Sequence, residues 1–280
     1  MIVTEKSTSL TTTDAREKRW QAVLVGEGGT GKTTLAALLS LYAVREGEQV
    51  LAVDADPETG LAGSLGVPLE RSRSLIPLSR NNAYIQEKIP ANTDLTAKPM
   101  FIPDVEDVIE RFAIPVQDRL RLLVLGNVEI PVSRCRCPEH ALVAAIFRYL
   151  VHRNRDAMIF DTGGIHPPEE LFGGSSLHAL IVTKPTFNSL RIAEHITRQL
   201  LDRGVLHLHL VVNGMGSEKD VTKVKQFTTG LTCYEHVFSL PHDETIRYMD
   251  PDLSELFGEK SIFMDAVGKM FRALQESPIS

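Results

Sequence analysis

Long apolar runs are missing from this 280-residue chain. No stretch reaches the roughly 18 consecutive apolar positions that a membrane-spanning helix needs, so no membrane span is expected. An excess of positive charge is missing as well. The formal net charge is −6, which does not supply the basic face that duplex DNA requires, and no nucleic-acid partner is expected. The first residues, Met1 to Lys18, are polar and Thr-rich and lack the apolar core of a signal peptide. They are expected to form a mobile tail (1–18) before a single domain over 19–280, in a cytoplasmic protein. Cysteine is scarce, with three residues in all. In a reducing compartment such cysteines favour metal or redox chemistry over a structural disulfide. What the chain does have is 43% hydrophobic residues, enough for a sizeable core.

One stretch organises the rest. Gly26-Glu27-Gly28-Gly29-Thr30-Gly31-Lys32-Thr33 follows the apolar run Ala22-Val23-Leu24-Val25 and leads into Leu35-Ala36-Ala37-Leu38-Leu39. Strand, glycine loop and helix in that order are the context of a phosphate-binding P-loop. The glycines let consecutive backbone N–H groups turn inward. The helix beginning near Lys32 adds the partial positive charge of its N-terminus. Gly28, Gly29, Thr30, Gly31 and Thr34 are expected around the phosphates. Lys32 is expected to neutralise the β- and γ-phosphates of ATP or ADP, and Thr33 to offer its hydroxyl to Mg²⁺.

The helix is expected to run to about Arg45 and to stop at Gly47. A buried strand, Val50-Leu51-Ala52-Val53, then ends in Asp54-Ala55-Asp56-Pro57. Carboxylates at the carboxyl end of a strand beside a P-loop stand where ligands bind in open α/β sheets. One of them is a candidate to orient a water, and an ordinary Asx turn before Pro57 is the plainer alternative. Residues 60–120, with scattered prolines, read as an elaboration beside the sheet. Pro103-Asp104-Val105-Glu106-Asp107-Val108-Ile109 reads as a helix start or an acidic loop. Leu120–Leu125 reads as a strand, and a helix from Pro138 to about Val151 follows. Ala157-Met158-Ile159-Phe160-Asp161 is an apolar strand ending in Asp, the arrangement that holds a magnesium-bound water. Gly163 and Gly164 then permit close approach to a γ-phosphate. Further strands at 179–182, 206–212 and 234–240 alternate with helices at 190–202, 220–228 and 265–275. The fold class is therefore α/β, a mainly parallel sheet flanked by helices on both faces.

Cys135-Arg136-Cys137-Pro138 supplies two thiolates close together. A four-coordinate Zn²⁺ or Ni²⁺ needs four ligands, and a twofold homodimer would bring two pairs onto one axis. Unliganded thiols and a redox pair are the alternatives. Cys233 reads as an inert residue of a core strand. His207 and His209 alternate along a strand and read as structural. His166, near a switch loop, reads as a surface-loop histidine, with a metal ligand as the alternative.

With Gly-Gly before its variable residue, the P-loop resembles the deviant Walker A loop of the MinD/ParA/nitrogenase-iron-protein group of dimeric ATPases. Asp54-Ala55-Asp56-Pro57, the Cys-x-Cys-Pro-Glu at Cys135 to Glu139, and Asp107–Phe112 followed by Leu122–Gly126 narrow it. From about Val23 to Gly258 the chain resembles the CooC-type nickel-insertion ATPases of carbon monoxide dehydrogenase maturation. The resemblance implies a catalytic set of Lys32, Asp56 and Asp161, with Asp56 positioning the attacking water and Asp161 linked to Mg²⁺. It implies that Asn213 reads adenine, with Pro241 and Asp243 on the other side of the base. It also implies Ni²⁺ or Zn²⁺ held by Cys135 and Cys137 across a homodimer, ATP hydrolysis, which the departure at Glu27 is expected to make slow, and a client such as carbon monoxide dehydrogenase.

Two stretches depart from that pattern. Glu27 stands where the group usually has a lysine that reaches the partner's phosphates, and Lys184 is a candidate ion-pair partner for it. Gly163-Gly164 then His166-Pro167-Pro168 replaces the usual Glu-Ala of the second switch. The competing readings are a ParA/MinD-like nucleotide-dependent switch and a regulatory protein that binds ATP without hydrolysing it. The tail Gln275–Ser280 is short and polar, unlike a basic membrane-targeting helix.

Overall fold

Short apolar runs without polar alternation become the inner strands of a parallel sheet covered on both sides. The computed structural model describes residues 20–95, 101–126, 137–153, 156–164, 171, 177–258 and 261–276. The expected tail at 1–18 lies outside them. The chain runs β1 (Gln21–Gly26), α1 (Lys32–Arg45), β2 (Val50–Ala55), α2 (Leu61–Ser64), α3 (Leu69–Ser74), α4 (Asn82–Lys88) and α5 (Val108–Phe112). It continues with β3 (Ile114–Gln117), β4 (Leu120–Val124), α6 (Pro138–Arg153), β5 (Ala157–Thr162), β6 (Leu177–Thr183) and α7 (Phe187–Asp202). The last elements are β7 (His207–Met215), α8 (Glu218–Thr228), β8 (His236–Pro241), α9 (Glu244–Met249) and α10 (Ile262–Glu276).

The eight strands are ordered β3-β4-β2-β5-β1-β6-β7-β8. All neighbours are parallel except β3 and β4. β3 is a short outer strand that the sequence reading did not anticipate. Its Pro115 lacks an N–H, which suits an edge, and the pairing register shifts between Pro115 and Gln117. Between 60 and 113 the regular structure among the described residues is short helices, α5 starting only at Val108, near the end of the stretch 103–109 where a helix start or acidic loop was expected.

Strand side chains alternate between two cores. Val23, Val25, Leu51, Val53, Phe160 and Ile181 pack with Ile146, Phe147, Ile196 and Leu200 of α6 and α7. Leu24, Ala52, Ile159 and Leu180 pack with Leu35, Leu38, Leu39, Val267, Met270 and Phe271 of α1 and α10. Helix α1 is buried almost all round, from Leu35 through Leu41, because α10 covers the side the sheet leaves open. Gly47, at φ 97°, ends the turn after α1. β1 stands between β5 and β6, where successive connections change direction across the sheet. The carboxyl ends at such a reversal are where α/β sheets bind ligands.

The α1–α10 contact is tight at one point. A Cβ at Gly268 would stand 2.6 Å from Tyr42 Oη and 2.8 Å from its Cζ, and the Tyr42 ring packs on Phe271 at 5.3 Å between centroids. Gly268→Ala gains about 1 kcal/mol of helix propensity but overpacks a closed interface, a cost of about 1–3 kcal/mol. The expected outcome is a lower urea midpoint for Gly268→Ala, recovered in part when Tyr42→Ala opens the space.

Candidate functional site

The loop from Gly26 to Gly31 bridges β1 and α1 at the carboxyl edge of the sheet. Gly31 caps α1 in the left-handed region, at φ 95°, and a Cβ there would lie 2.4 Å from Asn213 Nδ2. Glycine is thus required both for backbone conformation and for space. No side chain caps the helix and its first turn carries no acidic residue. Its leading N–H groups are therefore open to an anion. Thr30 Oγ1 donates to Glu27 O at 2.8 Å. Asn213 Nδ2 donates to Thr30 O at 2.8 Å, tying the end of β7 to the loop. Thr33 and Thr34 sit half-buried in the first turn.

Lys32 is 5% exposed. Its ammonium donates to Gly26 O and Glu27 O, each at 3.1 Å, so it lies folded against the loop. Burial pulls its pKa below the usual lysine value, against the opposing pull of Asp161, Asp56 and Glu27. Asp54 and Asp161 are opposite one another in the β2–β5 register, and both are fully buried. Asp54 accepts N–H from Asp56 at 3.1 Å and from Leu61 at 3.0 Å, the Asx turn that was the plainer alternative. Burial, then the charge of Asp161, pushes the Asp54 pKa up to about 7, against those two N–H bonds. Asp56, half-buried, accepts N–H from Glu58 at 2.9 Å. Gly163 lets this turn meet the exit of β5, since a Cβ there would fall 2.7 Å from Asp56 Oδ1 and 2.5 Å from Pro57 Cδ.

Asp161 is the least satisfied group of the site. Neither carboxylate oxygen has a hydrogen-bond partner among the described residues. Burial raises its pKa to about 6. The neighbouring Thr33 hydroxyl lowers it without completing a well-formed bond, Asp56 raises it, and Lys32 lowers it. An orphaned buried carboxylate beside the Thr33 hydroxyl and an uncapped helix start is a donor set that fits Mg²⁺ with a polyphosphate.

Glu27 turns away from the loop centre. Its Oε2 accepts from Ser189 Oγ of α7 at 2.8 Å, so Ser189, not Lys184, is its partner. A cavity of about 480 Å³ opens beside it, lined by Gly28, Gly164, Arg191, Ile192 and His195 as well. At the far side of the expected base site, Pro241 ends β8 opposite Met215. Asp243 has both oxygens engaged. Oδ1 caps α9 through Thr245 N–H at 2.9 Å, and Oδ2 accepts from Ser261 Oγ at 2.6 Å. Both bonds hold its pKa below the usual carboxylate value.

Cys137 is half-buried directly before α6, and its carbonyl accepts the Ala141 N–H at 3.1 Å. α6 begins at the carboxyl edge, the edge that carries the P-loop. Cys135 and His166 lie outside the described residues. Cys233 is not in a core strand. It is half-buried in the loop before β8, because the strand begins only at His236. Sequence reasoning missed Ser189 as the anchor of Glu27, since nothing in the sequence relates positions so far apart. It also missed the grouping of His178, His209 and Glu235, which depends on strand register.

Fold and site together define a nucleotide-binding P-loop protein. The chain belongs to the CobQ/CobB/MinD/ParA nucleotide-binding domain family, whose model matches residues 22–275. Within that group it is a CooC-type member. It is 31% identical, over 81% of this chain and 85% of the other, to the carbon monoxide dehydrogenase accessory protein CooC of Rhodospirillum rubrum. It is 30% identical to an uncharacterized ATP-binding protein of Methanocaldococcus jannaschii, over 80% of this chain and 85% of that one. In fold it is similar to MinD of the MinC:MinD cell division complex of Aquifex aeolicus, with a TM-score of 0.66, 18% identity, and 93% and 97% of the two chains covered. MinD of Pyrococcus horikoshii with Mg-ADP gives a TM-score of 0.60 at 20% identity, covering 92% and 96%. Among the described residues no helix is long and apolar enough to cross a membrane.

Asp161 makes a testable contribution to stability. Its folded pKa, about 6, lies above the ordinary 3.8. The folded state therefore holds the extra proton between those values, and stability from this group falls as pH rises from about 4 to 6. Asp161→Asn removes that loss. Without nucleotide, the variant is expected to melt above the parent at pH 7, with the gap closing at pH 4.5. Thermal unfolding at the two pH values checks this.

Proposed function

We propose that the protein is an ATP-dependent homodimeric metallochaperone that delivers Ni²⁺ to a client metalloenzyme such as carbon monoxide dehydrogenase. In this reading the N–H groups of Gly28, Gly29, Thr30 and Gly31 cradle the phosphates, with Thr34 alongside in the first turn. Lys32 leaves its carbonyl partners for the β- and γ-phosphates, and Thr33 and Asp161 hold Mg²⁺, Asp161 through a water. Asp56 orients the water that attacks the γ-phosphate, giving ADP and phosphate at a slow rate. Asn213 can give one amide hydrogen to Thr30 and still offer its other hydrogen and its oxygen to the adenine edge. Pro241 and Asp243 flank the base. Asp243, held in place by one bond on each oxygen, keeps acceptor capacity on both.

The observation that carries the nucleotide half is the buried Asp161 carboxylate, with no hydrogen-bond partner on either oxygen among the described residues. The metal half draws support from the likeness to CooC and from two cysteines spaced by one residue, with Cys137 on the P-loop edge. Each chain offers two sulfurs at Cys135 and Cys137. A twofold mate completes four, and Ni²⁺ or Zn²⁺ bound there is the cargo that bridges the dimer.

One observation favours a second reading. Glu27 is bound to Ser189 and offers no cation to a partner's phosphates, which suits a regulatory protein that binds ATP without turning it over. Glu27→Lys separates the two, since a chaperone handicapped at this position gains turnover or dimerisation and a non-hydrolysing regulator gains neither.

Metal analysis with mass measurement of the purified protein, with and without Mg²⁺-ATP, tests the proposal. One Ni²⁺ or Zn²⁺ per dimer is expected, lost in Cys135→Ser and Cys137→Ser, while ATP binding persists. Lys32→Ala is expected to lower ATP affinity at least tenfold. A metal-free monomer under all conditions, indifferent to Cys135→Ser, overturns the metallochaperone reading.

A further inference from the structure

The opposite edge of the sheet carries a cluster of histidines. His178 is near the start of β6, His207 and His209 open β7, and His236 opens β8. The register pairs His178 with His207 and His209 with His236. All four rings therefore stand on one face, the face of Leu180, Val211 and Leu240. His178 and His209 are completely buried. Glu235, in the turn before β8, closes the group from the solvent side with about a third of its side chain exposed.

The ligand atoms converge. His178 Nδ1 lies 3.0 Å from His209 Nε2, and His209 Nε2 lies 3.6 Å from Glu235 Oε2. One atom from each of the three residues falls within 4.8 Å of the others. Tetrahedral zinc, with bonds of about 2.0–2.1 Å, separates its ligand atoms by about 3.3 Å, so two observed spacings bracket that value. The other Glu235 oxygen accepts from His207 Nδ1 at 2.7 Å, which fixes the carboxylate as an outer partner fixes a metal ligand.

A packing role does not account for the cluster. One N–H···N bond is all that His178 and His209 share. The second nitrogen of each ring, on the side away from the converging atoms, is buried with no partner among the described residues at His178 Nε2 and His209 Nδ1, and so is His207 Nε2. Apolar side chains would fill this face without that cost.

We propose that His178, His209 and Glu235 form a transition-metal site for a borderline divalent ion such as Zn²⁺ or Co²⁺, with His207 positioning the carboxylate. Two imidazoles and one carboxylate leave a fourth position for water or an incoming ligand on the Glu235 side. The ion would join β6, β7 and the turn before β8. This assignment is independent of the cysteine pair and of the metallochaperone reading.

The test uses the full chain with Cys135→Ser and Cys137→Ser, so that the cysteine pair cannot bind. Zinc loading followed by dialysis is expected to leave one equivalent per chain. Co²⁺ titration is expected to give a visible d–d absorption without a thiolate charge-transfer band. Glu235→Gln, at a solvent-side position where the fold tolerates change, is expected to weaken binding at least tenfold. His209→Gln is expected to abolish it, and His207→Gln to weaken it several-fold, each with unchanged far-ultraviolet circular dichroism. No retained zinc, parental affinity in Glu235→Gln, or a thiolate band placing the ion on Cys233 would overturn the proposal.

Discussion

The buried ammonium of Lys32 lies among the carboxylates of Asp161, Asp56 and Glu27 where the central strands end, with Asp54 opposite Asp161 in the register. Negative charge outweighs positive there, in a site from which most water is excluded. Such an imbalance is costly by itself. The pKa values of Asp54 and Asp161 rise in response. The architecture imposes this arrangement, because β2 and β5 are neighbours and their terminal aspartates fall in register. Helix α1 then brings Lys32 and Thr33 down onto the same face. A divalent cation escorted by a polyphosphate supplies the positive charge and the anion for the helix start together, which is why the loop, the two strand ends and the helix work as one unit.

The sequence made much of this legible, for a physical reason. Buried parallel strands must be apolar and short, and four here carry a chemically distinct residue at or within two residues of their ends: Gly26, Asp54, Asp161 and Asn213. The P-loop, the strand ends and the alternation of elements could therefore be read in order. The edge strand β3 could not, since Ile114-Pro115-Val116-Gln117 has a proline and only partial burial. The cluster at His178, His209 and Glu235 could not be read either. His207 and His209 show alternation, but only the pairing of β6 with β7 and β7 with β8 reveals which distant rings share their face. Cys233 was misplaced because β8 begins only at His236, three residues beyond it.

Asn213 and Asp243 show how a likeness and a geometry inform each other. The proposed function puts both near adenine. Asn213 already gives one hydrogen to Thr30 O, and each Asp243 oxygen already accepts one bond, from Thr245 N–H and Ser261 Oγ. Asn213 can both donate to and accept from a ligand, whereas ionised Asp243 can only accept. Glu27 is similar. Its carboxylate, which would repel phosphate if it faced inward, is drawn onto Ser189 of α7.

The two flanks of the sheet are not equivalent. At one flank β3 is four residues long, antiparallel, and interrupted by Pro115. A foreign chain can hardly extend a ladder there, because the template is short and lacks a donor. At the other flank β8 is six residues long and leaves Val237 exposed. Any edge-to-edge association of partly unfolded copies is therefore directed to β8, which makes that strand the place to add a guarding charge if the protein must be kept at high concentration.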